Sequence, residues 1–150
     1  DVKEERRERR QNMAQTMERI RQYPGTDAAM RKKYMDAAAE IIRSNLPEFT
    51  EFFESSNSEG GFYLPTENVE WTTGFWTGVI WLAYEYSQDE RLKKAGEVQV
   101  KSFLDRIDNK IEVDHHDMGF LYSPSCVAAY KLIGSKEGRE AAIKAAEANK

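Results

Sequence analysis

The segment from Thr73 to Tyr86 constrains the fold of this chain more than any other part of the sequence. Its apolar residues follow a helical period and occupy nearly every side of that helix. A helix with this pattern belongs in the interior of a packed protein, so we expect neighbouring elements to cover it on nearly all sides. The apolar residues are Phe75, Trp76, Val79, Ile80, Trp81, Leu82, Tyr84 and Tyr86.

The sequence before this segment predicts two helices and a loop. A weak apolar stripe indicates a helix over residues 2–22. A second helix follows the capping residue Thr26 and ends before Pro47, because proline disfavours helical geometry in the residue that precedes it. The stretch Glu54–Gly61 is polar and contains glycine, which predicts a loop.

The sequence after this segment predicts three more helices. Asp89 has the chemistry of an N-terminal cap, and Ser123–Pro124 combines a capping serine with a proline suited to the first turn. Gly134 is expected to end the helix that begins there, and Ser135 to cap the last one. Between the first and second of these helices, apolar and polar residues alternate over Ile111–Val113 as in a short extended segment.

Short loops join the predicted helices, which makes successive helices antiparallel hairpins. Ala83-Tyr84, followed by a turn, recurs as Ala129-Tyr130, 46 residues further on and again followed by a turn. A period of about this length is typical of repeat and toroid proteins. The sequence therefore predicts an all-α fold of antiparallel helical hairpins.

The charge is unevenly distributed along the 150 residues, whose formal net charge is −4. Residues 1–33 carry ten Lys and Arg against six Asp and Glu, so we expect a basic N-terminal helix there and a separate domain over residues 34–150. A basic segment on an acidic body is one signature of nucleic-acid binding. Acidic residues are interleaved with these bases, however, and no aromatic platform for stacking bases lies beside them, which favours a solvated helix.

Three features predict a cytoplasmic protein without a membrane span. No stretch of about 18 apolar residues is present, and the first residues are charged rather than apolar. The one cysteine, Cys126, has no partner for a disulfide within the chain, which fits a reducing compartment. A single thiol on a helix is more often a small core residue than a nucleophile, and we expect that role here.

Both histidines of the chain lie in the segment Asp114–Asp117, between two carboxylates. Adjacent residues of an extended segment point to opposite sides, which disfavours a shared metal ion. A carboxylate beside histidine, placed just before a helix, suits polar recognition or acid–base chemistry. The alternative is a turn whose Asp and His side chains only satisfy backbone groups at the helix start.

A second cluster, Asn68–Trp76, contains two tryptophans with different expected environments. Trp76 lies one turn inside the predicted helix and should be buried. Trp71 lies before the helix, in a polar loop, where a flat aromatic face is available to a sugar ring. The alternative for Trp71 is an ordinary core residue, since aromatic residues at helical spacing more often belong to the core.

Together the two clusters resemble one known family. The first block, Val69–Tyr86, reads VEWTTGFWTGVIWLAYEY, and the second, Val113–Ser125, reads VDHHDMGFLYSPS. In content, order and spacing, both blocks are similar to the N-terminal part of unsaturated glucuronyl hydrolases, glycoside hydrolase family 88. The resemblance covers residues 68–134 and continues less sharply to about Ala146.

The resemblance implies an α/α toroid of six hairpins, of which this chain would hold about a third. It implies an oligosaccharide substrate that carries a 4,5-unsaturated glucuronyl residue at its non-reducing end. The implied reaction is hydration of the vinyl ether, rather than the usual displacement at the anomeric carbon. It requires no metal or other cofactor.

The resemblance also implies roles for individual residues. Asp117 matches one of the two active-site aspartates of the family, so it is the expected catalytic residue. His116 matches its neighbour in the cleft and Trp71 an aromatic residue of the substrate pocket, so both are expected to bind substrate. The second aspartate, which protonates the sugar, matches no residue here. We therefore expect little or no hydrolase activity from the isolated chain.

Two other function classes remain open at this stage. The hairpins could form a non-catalytic sugar-binding or assembly module, or residues 1–33 could make the chain a nucleic-acid-associated helical protein. The favoured interpretation predicts an unsaturated uronyl oligosaccharide as ligand and neither nucleic acid nor membrane as partner. Because a third of a toroid leaves apolar helices uncovered, it also predicts self-association or pairing with the missing part of the toroid.

Overall fold

The computed structural model of the chain describes residues 15–19, 21–22 and 25–148. The chain divides into two compact units, Asp1–Tyr34 and Met35–Lys150. In the first unit, residues 15–19 and 21–22 are helical and exposed. The rest of the helix predicted over residues 2–22 lies outside the described residues.

The described residues are mostly helical, with one small two-stranded antiparallel sheet. The prediction of a helical fold is therefore confirmed, whereas the small sheet was not predicted. Closure into a toroid stays a prediction. A π-helical turn, Ser123–Val127, joins the helix Met118–Tyr122 to the helix Ala128–Ile133. In chain order the other elements are α1 (Ala28–Phe49), β1 (Phe53–Glu59), β2 (Phe62–Thr66), α2 (Thr73–Ser87), α3 (Glu90–Asp108), α4 (Met118–Tyr122), α5 (Ala128–Ile133) and α6 (Lys136–Ala148).

The stretch predicted as a loop, Glu54–Gly61, forms most of strand β1 and the turn that follows it. Strands β1 and β2 form a hairpin around Gly60 and Gly61, which adopt φ angles of 59° and 87°. Two consecutive glycines with positive φ match the turn that two-residue hairpins prefer, because glycine adopts this geometry without steric cost. The stretch was predicted as a loop because its polar composition outweighed this glycine pair. Pro65 is tolerated in β2 because a two-stranded sheet consists of edge strands.

Helix α1 differs from its predicted bounds at both ends. The side chain of Asp27, rather than that of Thr26, accepts a hydrogen bond from the backbone N–H of Met30, at 2.7 Å. At the other end the helix continues two residues past Pro47. A proline this close to the end interrupts only the last turn, and the hydroxyl of Thr50 donates to the carbonyl of Leu46 there, at 2.7 Å.

Three of the predicted helix boundaries are confirmed. The side chain of Asp89 accepts from the backbone N–H of Arg91 at 2.9 Å and caps α3. Gly134 ends α5 with a left-handed φ of 69°. Ser135 accepts from the N–H of Gly138 at 3.1 Å at the start of α6.

The predicted helix start at Ser123–Pro124 is wrong. The helix begins at Met118, five residues earlier, and passes through Ser123 and Pro124 as a wider π-helical turn. Proline has no N–H to donate to the preceding turn, so a local widening accommodates it without ending the helix. Ile111–Val113, predicted as extended, is irregular and forms no strand.

Helix α2 is buried around most of its circumference and exposed along one side, so the expectation that it is covered on nearly all sides is met only in part for the described residues. Trp76 is buried against Phe49, and its indole N–H donates to the Phe49 carbonyl at 2.7 Å. Trp81 is buried in a second cluster with residues of α3 and of the segment from α4 to α6. Apolar side chains on the other side are exposed, namely Phe75, Val79 and Leu82.

Two glycines of α2 allow the helix to approach the segment from α4 to α5 closely. A Cβ added to Gly74 would lie 2.7 Å from the Cα of Leu121, and one added to Gly78 would lie 2.8 Å from the Cβ of Pro124. Both distances are too short for real atoms, so α2 packs directly against the backbone of Leu121 and the ring of Pro124. Within the described residues, no helix is both long and apolar enough to cross a membrane.

Candidate functional site

Two loops carry the residues singled out by the sequence. The Trp71 loop, residues 67–72, connects β2 to α2, and the Asp117 loop, residues 109–117, connects α3 to α4. Each loop enters the N-terminal end of its helix. Because Gly74, in the first turn of α2, packs against the backbone of α4, the two loops lie beside each other.

Exposed aromatic rings link the starts of these two helices. The indole of Trp71 is 48% exposed and meets the ring of Phe75 edge to face, with 6.3 Å between centroids. Phe75 in turn lies 5.6 Å from Phe120 of α4. We call Trp71, Phe75 and Phe120 the aromatic row. All three side chains are about half exposed, which leaves their faces available to a ligand.

An open hollow of about 620 Å³ lies at the α4 end of the aromatic row. His116 lines it together with Phe75 and Phe120. Trp71 and Asp117 do not line it themselves, although Trp71 contacts Phe75 and Asp117 adjoins His116. The structure thus brings all three predicted site residues to one region of the protein.

The carboxylate of Asp117 lies between the two histidines. One oxygen, Oδ1, is 3.5 Å from Nε2 of His116, and the other, Oδ2, is 3.8 Å from Nδ1 of His115. Both distances are too long for good hydrogen bonds. The Asp117 side chain is 20% exposed and makes no hydrogen bond to cap α4. This geometry disfavours the alternative that Asp117 only satisfies backbone groups at the helix start.

The hydrogen bonds of His115 determine its tautomer. Its Nε2 lies 3.0 Å from the carbonyl oxygen of Glu112, and its Nδ1 lies 3.2 Å from the backbone N–H of Asp117. A carbonyl can only accept, so Nε2 carries the proton, whereas Nδ1 is the unprotonated acceptor. His115 is therefore neutral in this arrangement and fixes the backbone of Asp117. The sequence indicated the histidine pair but not this division of roles.

Arg106 lies between the two loops and was missed as a site residue. It donates hydrogen bonds to the carbonyls of Val69 and Glu70 in the Trp71 loop and to those of Ile111 and Glu112 in the Asp117 loop. The available signal was its position on α3, on the same buried stripe as Phe103 and Ile107. A charged residue among core positions indicates a buried polar network.

A hydrogen bond from the sheet also anchors the Trp71 loop. The backbone N–H of Ser56, in β1, donates to the carboxylate of Glu70. Asn68 bridges to α3, since its amide nitrogen donates to the hydroxyl of Ser102 at 3.2 Å. The loop that carries Trp71 is thus fastened on two sides before it enters α2.

Cys126 is fully buried, as expected for a core residue. Burial raises the pKa of its thiol to about 12, so the thiolate needed for nucleophilic chemistry is scarce at neutral pH. Among residues 15–19, 21–22 and 25–148, no group of three or more His, Cys, Asp or Glu side chains is placed to hold a metal ion.

No family model matches the chain. Curated proteins do match it. The chain is 48% identical over 113 residues to the unsaturated chondroitin disaccharide hydrolase of Streptococcus pyogenes serotype M1, a match that covers 75% of this chain and 28% of that protein. It is 37% identical over 110 residues to the unsaturated glucuronyl hydrolase of Bacillus sp. (strain GL1), which covers 73% and 29% of the two chains.

Solved structures show the same likeness in fold. The unsaturated glucuronyl hydrolase of Streptococcus agalactiae superposes with a TM-score of 0.79 at 43% identity, over 81% of this chain and 32% of that one. An aspartate-to-asparagine variant of that enzyme, complexed with dGlcA-GalNAc6S, gives a TM-score of 0.84 at 41% identity, over 87% and 34%.

The chain spans only about three tenths of the length of these proteins. Sequence and fold nevertheless agree over about three quarters of the chain or more. The resemblance recognised in residues 68–134 is therefore confirmed, and this chain is a partial-length relative of the unsaturated glucuronyl hydrolases.

Proposed function

We propose that this chain supplies one wall of a carbohydrate site that hydrolyses oligosaccharides with a 4,5-unsaturated glucuronyl residue at the non-reducing end. One observation carries the proposal: the aromatic row leads from Trp71 to Phe120, where His116 and Asp117 adjoin it. An exposed aromatic surface that ends near a carboxylate suits a ring with apolar faces and hydroxyl groups. The relative complexed with dGlcA-GalNAc6S supports a sugar of this class.

The indole of Trp71 is suited to stack against the sugar ring. Ligand sites combine apolar surface with a few polar groups that fix the orientation of the ligand. Here the row supplies the apolar surface, and His116, on the rim of the hollow, supplies a polar group. Asp117 supplies an anionic acceptor for sugar hydroxyls.

The proposed reaction adds water across the vinyl ether. A carboxylic acid delivers a proton to C4, and positive charge develops at C5 and the ring oxygen. Water then attacks C5 and loses a proton, which leaves a hemiketal. The hemiketal opens to a ketone at C5 and a hemiacetal at C1, and the hemiacetal releases the second sugar.

Asp117 is proposed to act on the developing cation in this scheme. A carboxylate aimed at the position where positive charge develops stabilises the transition state more than the ground state. The neutral tautomer of His115 fixes the backbone at Asp117, which helps to aim its side chain. The acid that protonates C4 is a separate group, and we assign it to no residue of this chain.

The rest of the proposed toroid is expected to pack against the exposed side of α2. A groove of about 640 Å³ lies between α2 and the segment from Pro124 to Leu132, and its walls are mostly apolar. Phe75, Val79 and Leu82 line it from α2. An apolar groove beside an incomplete site favours pairing with further hairpins over exposure to water. We therefore propose that the 150-residue polypeptide has little hydrolase activity alone, and that it works in the cytoplasm, where the lone thiol of Cys126 stays reduced.

A chimera tests the proposed function. Residues 35–148 of this chain replace the matching part of the Streptococcus agalactiae enzyme, and dGlcA-GalNAc6S is supplied as substrate. Loss of the ultraviolet absorbance of the double bond reports turnover. We expect activity in the chimera and at least a hundredfold loss with Asp117→Asn, which keeps the size of the side chain but removes its charge.

Asp105→Asn is the matched control, because Asp105 is an exposed carboxylate on α3 outside the site. It should leave turnover within twofold. A folded chimera that does not consume the disaccharide, or an Asp117→Asn chimera with normal turnover, contradicts the proposal. Binding without turnover in the chimera points instead to the non-catalytic sugar-binding module.

A further inference from the structure

The guanidinium group of Arg106 is buried, with 1% of the residue exposed. Its N–H groups meet six acceptors, all of them uncharged: four backbone carbonyls, one side-chain amide oxygen and one hydroxyl. Burial lowers the pKa of the group because it disfavours the charged form. A buried cation is costly compared with an apolar side chain of similar volume, so packing alone does not explain an arginine here.

One side of the guanidinium holds the Trp71 loop. The Nη1 atom donates to the Glu70 carbonyl at 2.9 Å and to the side-chain oxygen of Asn68 at 3.0 Å. The Nη2 atom donates to the carbonyl of Val69 at 3.2 Å. These acceptors belong to the three residues directly before Trp71, so they determine where the indole leaves the loop.

The other side holds the Asp117 loop. Nη2 donates to the Glu112 carbonyl at 2.8 Å, and Nε donates to the Ile111 carbonyl at 3.0 Å. The N–H of Ile111 returns a bond to the backbone carbonyl of Arg106, at 2.9 Å. Lys110 and Glu112, on either side of Ile111, adopt φ angles of 55° and 44°. Side chains other than glycine rarely adopt these angles, so the segment needs such bonds to keep its shape.

The connection continues to the carboxylate residue through one shared carbonyl. The Glu112 oxygen that accepts from Arg106 also accepts from Nε2 of His115. Nδ1 of His115 in turn accepts from the backbone N–H of Asp117. A continuous chain of hydrogen bonds therefore runs from the guanidinium to the backbone of Asp117.

We propose that Arg106 is a positioning residue that holds the Trp71 loop and the Asp117 loop in one fixed arrangement, so that the indole and the carboxylate face the same sugar. This inference rests on the proposed function. The planar guanidinium fork suits the role because it directs N–H groups to both loops at once, whereas the ammonium group of lysine acts from a single nitrogen.

The test compares Arg106→Lys with the unmodified 150-residue chain by NMR. Arg91→Lys is the control, since Arg91 is an exposed arginine on the same helix. We expect Arg106→Lys to shift the indole N–H resonance of Trp71 and the ring resonances of His115, while the indole resonances of buried Trp76 and Trp81 stay in place. A merely structural role would disturb all three indoles together. Far-ultraviolet circular dichroism checks that the helices remain.

Affinity for dGlcA-GalNAc6S, titrated by calorimetry in the chimera that completes the site, is the second readout. Arg106→Lys should weaken binding at least tenfold and Arg91→Lys by less than twofold. Unchanged Trp71 and His115 resonances, or unchanged affinity, in folded Arg106→Lys would overturn the inference. If the parent chimera binds no disaccharide, the proposed function fails, and the NMR comparison still decides whether Arg106 holds both loops.

If Arg106→Lys loses its helices, the unmodified chain decides the matter. Scalar couplings across hydrogen bonds should then connect the Nε–H of Arg106 to the carbonyl carbon of Ile111, and its Nη groups to the carbonyls of Val69 and Glu112. Detection of couplings to both loops supports the inference. The inference is overturned if the guanidinium group couples to just one of the two loops.

Discussion

Gly74 and Leu121 meet so closely that a Cβ on Gly74 would lie 2.7 Å from the Cα of Leu121. Backbone atoms cannot swing aside as a side chain can, so this contact determines the separation of α2 and α4. The Trp71 loop enters one of these helices and the Asp117 loop enters the other. The geometry of the site therefore depends on the absence of a side chain at Gly74.

The first prediction concerns this contact. Gly74→Ala should destabilise the chain by about 1–3 kcal/mol, the usual cost of overpacking, because α2 and α4 must move apart. Urea unfolding followed by circular dichroism measures the change. Gly119→Ala is the control: nothing lies within 4 Å of a Cβ at Gly119, and alanine favours a helix. Equal stability of Gly74→Ala and the parent would show that the contact is looser than described.

The exposure of the two tryptophans was predicted correctly from their positions relative to a helix start. Trp76, one turn inside α2, is buried, whereas Trp71, in the loop before it, is half exposed. The cap at Asp89 and the helix end at Gly134 were predictable for the same reason, since each depends on neighbouring residues only.

Features that depend on distant segments were not predictable in this way. The acceptors of Arg106 come from residues 68–73 and 111–112, and no local sequence pattern on α3 identifies them. The hairpin requires β1 and β2 to pair, which overrides a polar composition typical of loops. The exposed side of α2 is likewise a property of packing, because an apolar pattern states what should be covered but not what covers it.

The second prediction concerns the indole at the start of the aromatic row. Trp71→Ala should weaken binding of dGlcA-GalNAc6S to the chimera at least tenfold, because the proposed stacking surface is removed. Stability should change little, since the side chain is about half exposed. Calorimetric titration and thermal unfolding measure the two effects.

Tyr130→Ala is the control for this variant, because Tyr130 is a similarly exposed aromatic residue outside the row. It should bind the disaccharide like the parent. The stacking role is rejected if Trp71→Ala and Tyr130→Ala bind equally well.

The third prediction is a pH dependence of stability due to Cys126. Burial raises the pKa of its thiol from 9.0 to about 12, so the unfolded chain releases this proton first as the pH rises. Between these two values the folded chain holds more protons, and its stability falls with increasing pH. One such thiol raises the unfolding constant by up to about tenfold per pH unit in this window.

Comparison with Cys126→Ala isolates this contribution. The parent should lose stability faster than the variant between pH 9 and the pKa of about 12, and the two should run parallel below pH 9. Urea unfolding across this range measures both. Parallel curves throughout the window would mean that the thiol is not buried as described.

The fourth prediction concerns the groove beside α2. Leu82 lines it and is 63% exposed, so Leu82→Gln should change the stability of the isolated chain by less than about 0.5 kcal/mol. It should nevertheless weaken association of the chain with the remaining part of the Streptococcus agalactiae enzyme, because a polar side chain would be buried where an apolar one fits. Analytical ultracentrifugation of the mixed polypeptides measures the association.

Ile41→Gln separates the groove from a general effect of exposed apolar residues. Ile41 lies on α1 with 62% exposed, nearly the same as Leu82, but it does not line the groove. If the groove receives the rest of the toroid, Leu82→Gln weakens association and Ile41→Gln does not. If both variants weaken it equally, apolar exposure in general drives the association. If neither does, but the parent chain alone forms dimers that Leu82→Gln dissociates, the groove joins two copies of this chain instead.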